Sequence, residues 1–187
     1  IRVKDYSIKK KSSDYFFFEN QNISNSKINF QNKLLIPTSG TTGSSKMVRL
    51  SLSNLSHNSF SIIKSLNVKK SDTAITTMPM SYSYGLSIIN THLLTGAKII
   101  VNKESITSKV FWDYINRYKV SSLSGVPKFY EYLYKLKFHN FKTPYLKYIT
   151  QAGGNLDLKY KKYFLKLSHK KKFNFFVMYG LTEASPR

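Results

Sequence analysis

The residues best suited to chemistry lie in a loop rich in glycine and hydroxyl groups. Thr38 to Lys46 reads TSGTTGSSK, so that every residue other than two glycines and one lysine is serine or threonine. Glycines let backbone N–H groups turn towards an anion, hydroxyls add hydrogen-bond donors, and Lys46 adds a positive charge. This composition is typical of a loop that binds a polyphosphate.

The loop does not match the Walker A motif of kinases and GTPases. Counted from Gly40, that motif needs glycine at position 45 and serine or threonine at position 47. The chain has Ser45 and Met47 at those positions. Taken alone, a loop of this composition is equally typical of a flexible surface turn, so its interpretation depends on other motifs.

Two further loops have unusual compositions, QAGGN at residues 151–155 and YGLTE at residues 179–183. All three loops follow predicted strands, and ligands of α/β proteins gather where strands end. The chain has only nine acidic residues, so an acid in such a loop is informative. Alone, Glu183 would be interpreted as a solvated loop acid, and it is a candidate site residue because Tyr179 and Gly180 precede it.

The elements that must position these loops alternate between strand and helix. Such alternation predicts an α/β fold of layered βαβ units around a parallel sheet. Expected helix starts are Ser53, Leu86, Thr107, Pro127 and Asp157, and Gly96 is expected to end the second helix. The predicted strands cover residues 3–8, 15–18, 33–37, 73–78, 98–101, 120–123, 145–150 and 174–178.

The composition shows a strongly basic protein with ample material for a core. The chain has 187 residues, a net charge of +21, 41% hydrophobic residues and no cysteine. A charge of +21 suggests nucleic acid, but 26 of the 30 basic residues are scattered lysines, which favours AT-rich coding bias. We therefore expect no specific nucleic-acid partner. No apolar run approaches the roughly 18 residues of a membrane span.

The motifs together resemble those of the adenylate-forming, or AMP-binding, superfamily of acyl-CoA synthetases and related ligases. Thr38 to Lys46 resembles its phosphate loop, and Tyr179 to Glu183 resembles its Y-G-x-T-E motif. Between them, in family order, lie the segments MPMSYSYG (residues 78–85), GVP (125–127) and QAGGNL (151–156). Five matches in the family's order are far more specific than any one alone.

The resemblance implies that ATP and Mg²⁺ bind at these motifs. Thr182 would donate to the α-phosphate as a catalytic residue, and Glu183 would be both a catalytic residue and the magnesium ligand. Tyr179 would lie against the adenine. The residues implied to bind the nucleotide are Thr38, Ser39, Gly40, Thr41, Thr42, Gly43, Lys46, Gly153, Gly154, Asn155, Tyr179 and Gly180.

The resemblance also implies a pocket for a small carboxylic acid, lined by Tyr82, Tyr84, Gly85 and Val126. Three positions depart from the family pattern. Ser45 and Met47 flank Lys46 where many members have Pro-Lys-Gly, which makes the phosphate loop less rigid. Tyr82 stands at the aromatic gate where many relatives carry histidine, so its gate role stays open.

The implied reaction activates the acid with ATP to acyl-AMP and pyrophosphate, then transfers the acyl group to a thiol such as that of CoA. An adenylation domain that loads a carrier-protein phosphopantetheine is the alternative, and a basic nucleic-acid-binding protein is a less favoured one. Fatty-acid or aryl-acid metabolism in the cytoplasm is expected.

The family's later motifs have no counterpart, so the chain is expected to be a fragment of a large N-terminal domain. Upstream strands and a loop are expected at 1–32, and the nucleotide-binding α/β part at 33–187. The C-terminal lid domain and its catalytic lysine would lie outside this chain. We therefore expect negligible turnover by these 187 residues alone.

Overall fold

The computed structural model of the protein describes residues 6–11, 16–20, 32–38 and 46–184. The chain divides into two compact units, Ile1–Phe30 and Gln31–Arg187. In the first unit, strand β1 (Tyr6–Lys11) pairs antiparallel with strand β2 (Phe16–Asn20). These strands overlap the predicted ones, of which residues 3–5 and 15 lie outside the described part.

The second unit combines a two-stranded antiparallel sheet with a five-stranded parallel sheet. Strands β3 (Asn32–Pro37) and β4 (Met47–Ser51) form the antiparallel pair. The parallel sheet contains β5 (Thr73–Ile75), β6 (Lys98–Ile100), β7 (Ser122–Gly125), β8 (Tyr148–Gln151) and β9 (Asn174–Val177). Its helices are α1 (Leu52–Leu66), α2 (Ser83–Thr95), α3 (Lys109–Arg117), α4 (Pro127–Lys135) and α5 (Leu158–Lys171).

The strand order β6-β5-β7-β8-β9, with every pair parallel, confirms the predicted α/β fold. All residues of the inner strands β7 and β8 are buried. Side chains alternate between the two faces of a strand. Accordingly, Ile149 joins a core cluster with residues of α3, α4 and α5, whereas Tyr148 joins a cluster with α1. Helices therefore cover both faces of the sheet.

Helix ends with strong local signals lie where the sequence predicts them. Gly96 ends α2 in a left-handed conformation with φ 71°, Pro127 is the first residue of α4, and Asp157 caps α5. The Asp157 carboxylate accepts from the Lys159 N–H at 2.8 Å. Gly96 and Pro127 act through their own backbone preferences, and Asp157 acts on a neighbour two residues away. Such local effects can be predicted directly from the sequence.

Three predicted helix starts were wrong. The α1 helix is capped by Ser51 and not by Ser53, because Ser51 and Asn54 form a reciprocal capping box in which each side chain accepts from the other residue's N–H. Strand β4, which runs up to this cap, was not predicted. Ser108 caps α3 one residue after the predicted Thr107, and α2 begins three residues before Leu86.

Tyr130 on α4 lies in the centre of the core beneath the sheet. It is fully buried, and its ring contacts Phe164 edge-on with centroids 5.0 Å apart. Its hydroxyl has no hydrogen-bond partner among the described residues. Burial raises the pKa of the Tyr130 phenol well above its ordinary value of 10.0, and the nearby Tyr84 raises that pKa further.

This burial predicts an alkaline loss of stability. The unfolded phenol ionises above about pH 10, while the folded phenol keeps its proton, so the free energy of unfolding falls as pH rises past 10. Tyr130→Phe should remove that part of the loss. In denaturant titrations from pH 9 to 11, the free energy of unfolding of the variant should increase relative to that of the wild type as pH rises. Tyr132→Phe, at a half-exposed position of the same helix, is the control, and its free energy of unfolding should depend on pH as that of the wild type does. Parallel pH profiles for all three proteins would contradict this account.

Candidate functional site at the carboxyl edge of the parallel sheet

The parallel strands β5, β7, β8 and β9 all end at one edge of the sheet, where the loops that follow them meet. A cavity of about 690 Å³ lies at this edge. It is lined by Thr38, Tyr82, Ser83, Tyr84, Gln151, Ala152, Gly153, Gly154, Asn155, Leu156, Val177, Met178, Tyr179, Gly180, Leu181, Thr182 and Glu183.

Ten of the residues singled out from the sequence line this one cavity. They are Thr38, Tyr82, Tyr84, Gly153, Gly154, Asn155, Tyr179, Gly180, Thr182 and Glu183. Lys46, Gly85 and Val126 are not among its lining residues. The predicted phosphate-binding residues Ser39, Gly40, Thr41, Thr42 and Gly43 lie outside the described residues, so their placement stays a prediction.

The two ends of the predicted phosphate loop are joined to each other. Pro37 pairs with Met47 in the β3–β4 register, and the Thr38 N–H and hydroxyl both donate to the Lys46 carbonyl, at 2.9 and 3.2 Å. The loop therefore connects two antiparallel strands and does not follow a strand of the parallel sheet. Strand β4 lies beside the short 3-10 turn Thr182–Ala184, which brings Thr38 to the cavity.

The Gly153–Gly154 turn adopts a backbone that other residues rarely adopt. The φ angles are 75° at Gly153 and 147° at Gly154. A Cβ at Gly153 would lie 2.3 Å from the Tyr82 hydroxyl and 3.2 Å from a Val126 methyl group. Tyr82 and Val126 therefore pack onto this turn, and glycine is required both for the conformation and for the close contact.

The loop after β9 is tied to the start of α2. The Ser83 and Thr182 hydroxyl oxygens lie 3.1 Å apart, within hydrogen-bond distance. Ser83 is buried, whereas Tyr179 is 82% exposed and Glu183 lies exposed on the 3-10 turn. The motif thus presents an aromatic face and a carboxylate, with Thr182 held between them by Ser83.

Tyr84 forms the buried end of the predicted acid pocket. Its hydroxyl donates to the Thr150 carbonyl at 2.8 Å and lies 2.8 Å from the Thr150 hydroxyl, which in turn donates to the Ser124 hydroxyl. The neighbouring Gly85 serves packing, since a Cβ there would lie 2.3 Å from the Pro79 carbonyl oxygen. Helix α2 can therefore begin close to the loop that precedes it.

The sequence predicts no role for seven of the cavity residues: Ser83, Gln151, Ala152, Leu156, Val177, Met178 and Leu181. Gln151, Ala152 and Leu156 lie inside a motif that had been recognised, but nothing local distinguishes them. Ser83 acts through Thr182, which is 99 residues away in the chain. Only the fold brings such a pair together.

Acidic groups near the cavity are few. Among residues 6–11, 16–20, 32–38 and 46–184, no three His, Cys, Asp or Glu side chains are grouped so as to hold a metal ion. A single carboxylate is nevertheless compatible with Mg²⁺, which proteins commonly hold with one or two carboxylates and the phosphates of a substrate.

In the described part of the chain, the helices are too short or too polar to cross a membrane.

The Gly153 geometry predicts the effect of a single methyl group. Gly153→Ala should lower the free energy of unfolding by about 1–2 kcal/mol through its positive φ, and should weaken nucleotide binding by displacing Tyr82. Gly96→Ala is the matched control, because Gly96 also has a positive φ but its Cβ would meet only the Lys70 side chain, at 3.7 Å. That control should lose stability and bind ATP normally. Equal binding by both variants in calorimetric titration would refute the contact.

Comparisons with known proteins identify the family and the fold of the chain. A family model described as AMP-binding enzyme matches residues 17–187. The chain is similar to the acyl-CoA ligase sidI of Aspergillus fumigatus, with 31% identity over 151 residues. That match covers 80% of this chain and 25% of the ligase, so the chain spans about a quarter of that relative's length.

Two solved structures share the fold. The N-terminal domain of FACL13 from Mycobacterium tuberculosis matches with a TM-score of 0.71 and 19% identity, over 83% of this chain and 38% of that one. The o-succinylbenzoate CoA synthetase MenE from Bacillus subtilis, solved with ATP and magnesium ion, matches with a TM-score of 0.69 and 27% identity, over 82% and 31%. Since the family model covers most of the chain, the protein belongs to the AMP-binding enzyme family.

Proposed function

We propose that the chain forms the nucleotide-binding part of an AMP-forming acid–thiol ligase. In the full-length protein, a carboxylate attacks the α-phosphorus of ATP, which gives acyl-AMP and releases pyrophosphate. A thiol then displaces AMP and takes the acyl group. The observation that carries this proposal is the cavity in which ten motif residues from four separate segments meet.

The phosphate end of the site would lie between the β3–β4 hairpin and the loop after β9. Thr38 and Thr182 both line the cavity there, and the Thr182 hydroxyl can donate to a phosphate while it accepts from the Ser83 hydroxyl. Residues 39–43 and Lys46 are proposed to surround the β- and γ-phosphates, with donors and a positive charge that neutralise the leaving pyrophosphate. Glu183 would hold Mg²⁺, which supplies further charge neutralisation when bound.

The base and acid ends would lie on either side of the Gly153–Gly154 turn. The exposed ring of Tyr179 offers a flat surface to adenine, and the glycines, with Asn155, allow the base edge to approach the backbone closely. Tyr82 and Tyr84 would border the carboxylic acid. Val126 and Gly85 are proposed to support that pocket from behind, by packing on the turn and on the Pro79 loop.

CoA is the proposed thiol, since the similar proteins include the acyl-CoA ligase sidI and a CoA synthetase. A carrier-protein phosphopantetheine is the alternative acceptor. A cytoplasmic location and a role as a fragment of a larger N-terminal domain belong to the same proposal. Fatty acids and aryl acids are the substrate classes to screen first.

Glu183 provides the sharpest test of this proposal. In ATP–pyrophosphate exchange by the full-length protein with a panel of carboxylic acids, Glu183→Gln should slow exchange by about 100-fold, because a neutral amide holds the cation much more weakly than a carboxylate does. Raised Mg²⁺ should recover part of the rate. Glu131→Gln is the matched control, since Glu131 pairs with Lys128 on the exposed face of α4.

The control should keep the wild-type exchange rate within about twofold, as expected for a surface pair. Absence of exchange with every acid tested would refute the proposed activity. Equal exchange rates for the two variants would refute the role of Glu183 while leaving the reaction itself in place.

A further inference from the structure

Gln151 carries a buried hydrogen-bond acceptor that the described residues leave unpaired. It is the last residue of β8, is fully buried and lies in the wall of the cavity. Its Nε2 donates to the Gly154 carbonyl oxygen at 2.8 Å, but its Oε1 has no hydrogen-bond partner among the described residues. A buried polar atom without a partner is uncommon in a folded protein, so it calls for a functional explanation.

The bond to Gly154 fixes which way the amide faces. A glutamine amide can present either its NH₂ group or its oxygen by a half-turn. Here a half-turn would bring Oε1 against the Gly154 carbonyl, and two acceptors would then face each other. The side chain is therefore held as a donor towards the Gly-Gly turn, and its free group is an acceptor.

Strand geometry separates this acceptor from the acid pocket. The Thr150 side chain points to α2, as its hydroxyl contact with Tyr84 shows, so the side chain of the next residue, Gln151, points to the opposite face. Gln151 is in register with Val177 on β9, and their side chains share that face. Val177 is half-exposed, lines the same cavity and precedes Tyr179 by two residues.

The acceptor thus lies between the Gly153–Gly154 turn and the strand that leads to Tyr179, where the proposed function puts the nucleobase. We propose that Gln151 selects the base, with Oε1 accepting a hydrogen bond from the exocyclic amino group of adenine. This inference rests on the proposed function. A purine with an oxo group at the same position presents an acceptor, and the locked amide cannot turn to match it.

Base selection predicts a preference that can be measured without any acid substrate. In calorimetric titrations of the full-length protein with Mg²⁺, ATP should bind about 10- to 100-fold more tightly than ITP, the cost of leaving one buried polar group unpaired. N6,N6-dimethyl-ATP, which has no donor at this position, should bind as weakly as ITP. These two ligands test the inference without any substitution.

Gln151→Met should reduce the ATP-to-ITP affinity ratio to within about threefold, since methionine has a similar length and cannot accept this bond. The ratio isolates base selection, because loss of the Gly154 contact alone would weaken both nucleotides alike. Lys161→Met is the matched control. It removes the exposed bond from Lys161 to Asn155 on the same turn and should leave the ratio unchanged.

Equal affinity of the wild type for ATP and ITP, or an unchanged ratio in Gln151→Met, would overturn the inference. Pyrophosphate exchange with the acid panel separates this result from failure of the proposed function. Exchange that runs equally well with ATP and ITP refutes base selection and leaves the ligase activity. A clear ATP preference without exchange for any acid supports base selection and refutes the activity. Binding of neither nucleotide refutes both.

Discussion

Parallel alignment of the strands is the constraint on which the site depends. When strands run in the same direction, their carboxyl ends reach one edge of the sheet, and the loops that follow them must meet there. In this protein β5, β7, β8 and β9 bring together segments from residues 78–85, 125–127, 151–156 and 179–183. The hairpin of β3 and β4 adds a fifth segment beside Thr182. All of these segments except 125–127 contribute lining residues to the one cavity, and Val126 packs on the Gly153 turn beside it.

Close contacts then hold these loops at fixed positions. Gly153 lets Tyr82 approach the turn after β8, and Gly85 lets α2 begin against the Pro79 carbonyl. Hydroxyl groups link the start of α2 to the other elements, from Ser83 to Thr182 in the turn after β9 and from Tyr84 to Thr150 in β8. These contacts use small residues and neutral donors, so the cavity wall contains little charge. Among the described residues that line the cavity, Glu183 is the one charged group, and it is exposed.

The sequence predicted the features that have local causes. The alternation of strands and helices from β5 onward, the Gly96, Pro127 and Asp157 helix ends and the family itself could all be read from residue types and short spacings. Features that depend on distant partners could not. The Ser51–Asn54 capping box competes with an equally good serine at position 53, and the pairing of β4 with β3 is visible only once Pro37 faces Met47.

The same limit applies to the site. Tyr179 and Glu183 stand in a recognisable motif, but the bond of Ser83 with Thr182 and the locked amide of Gln151 need the folded chain. The net charge of +21 was the most conspicuous feature of the composition. It did not lead to the cavity, whose lining residues include no lysine or arginine among those described.

If the cavity at the carboxyl edge of the sheet binds ATP, the nucleotide should protect the loops that line it. Hydrogen–deuterium exchange of the full-length protein, with and without ATP and Mg²⁺, measures this protection. Exchange should slow at residues 151–156 and 179–184, with little change in α3, which packs in the core and contributes no lining residue to the cavity. Unchanged exchange in both loops at saturating nucleotide, or protection confined to the lysine-rich helix α5, would contradict ATP binding at this cavity.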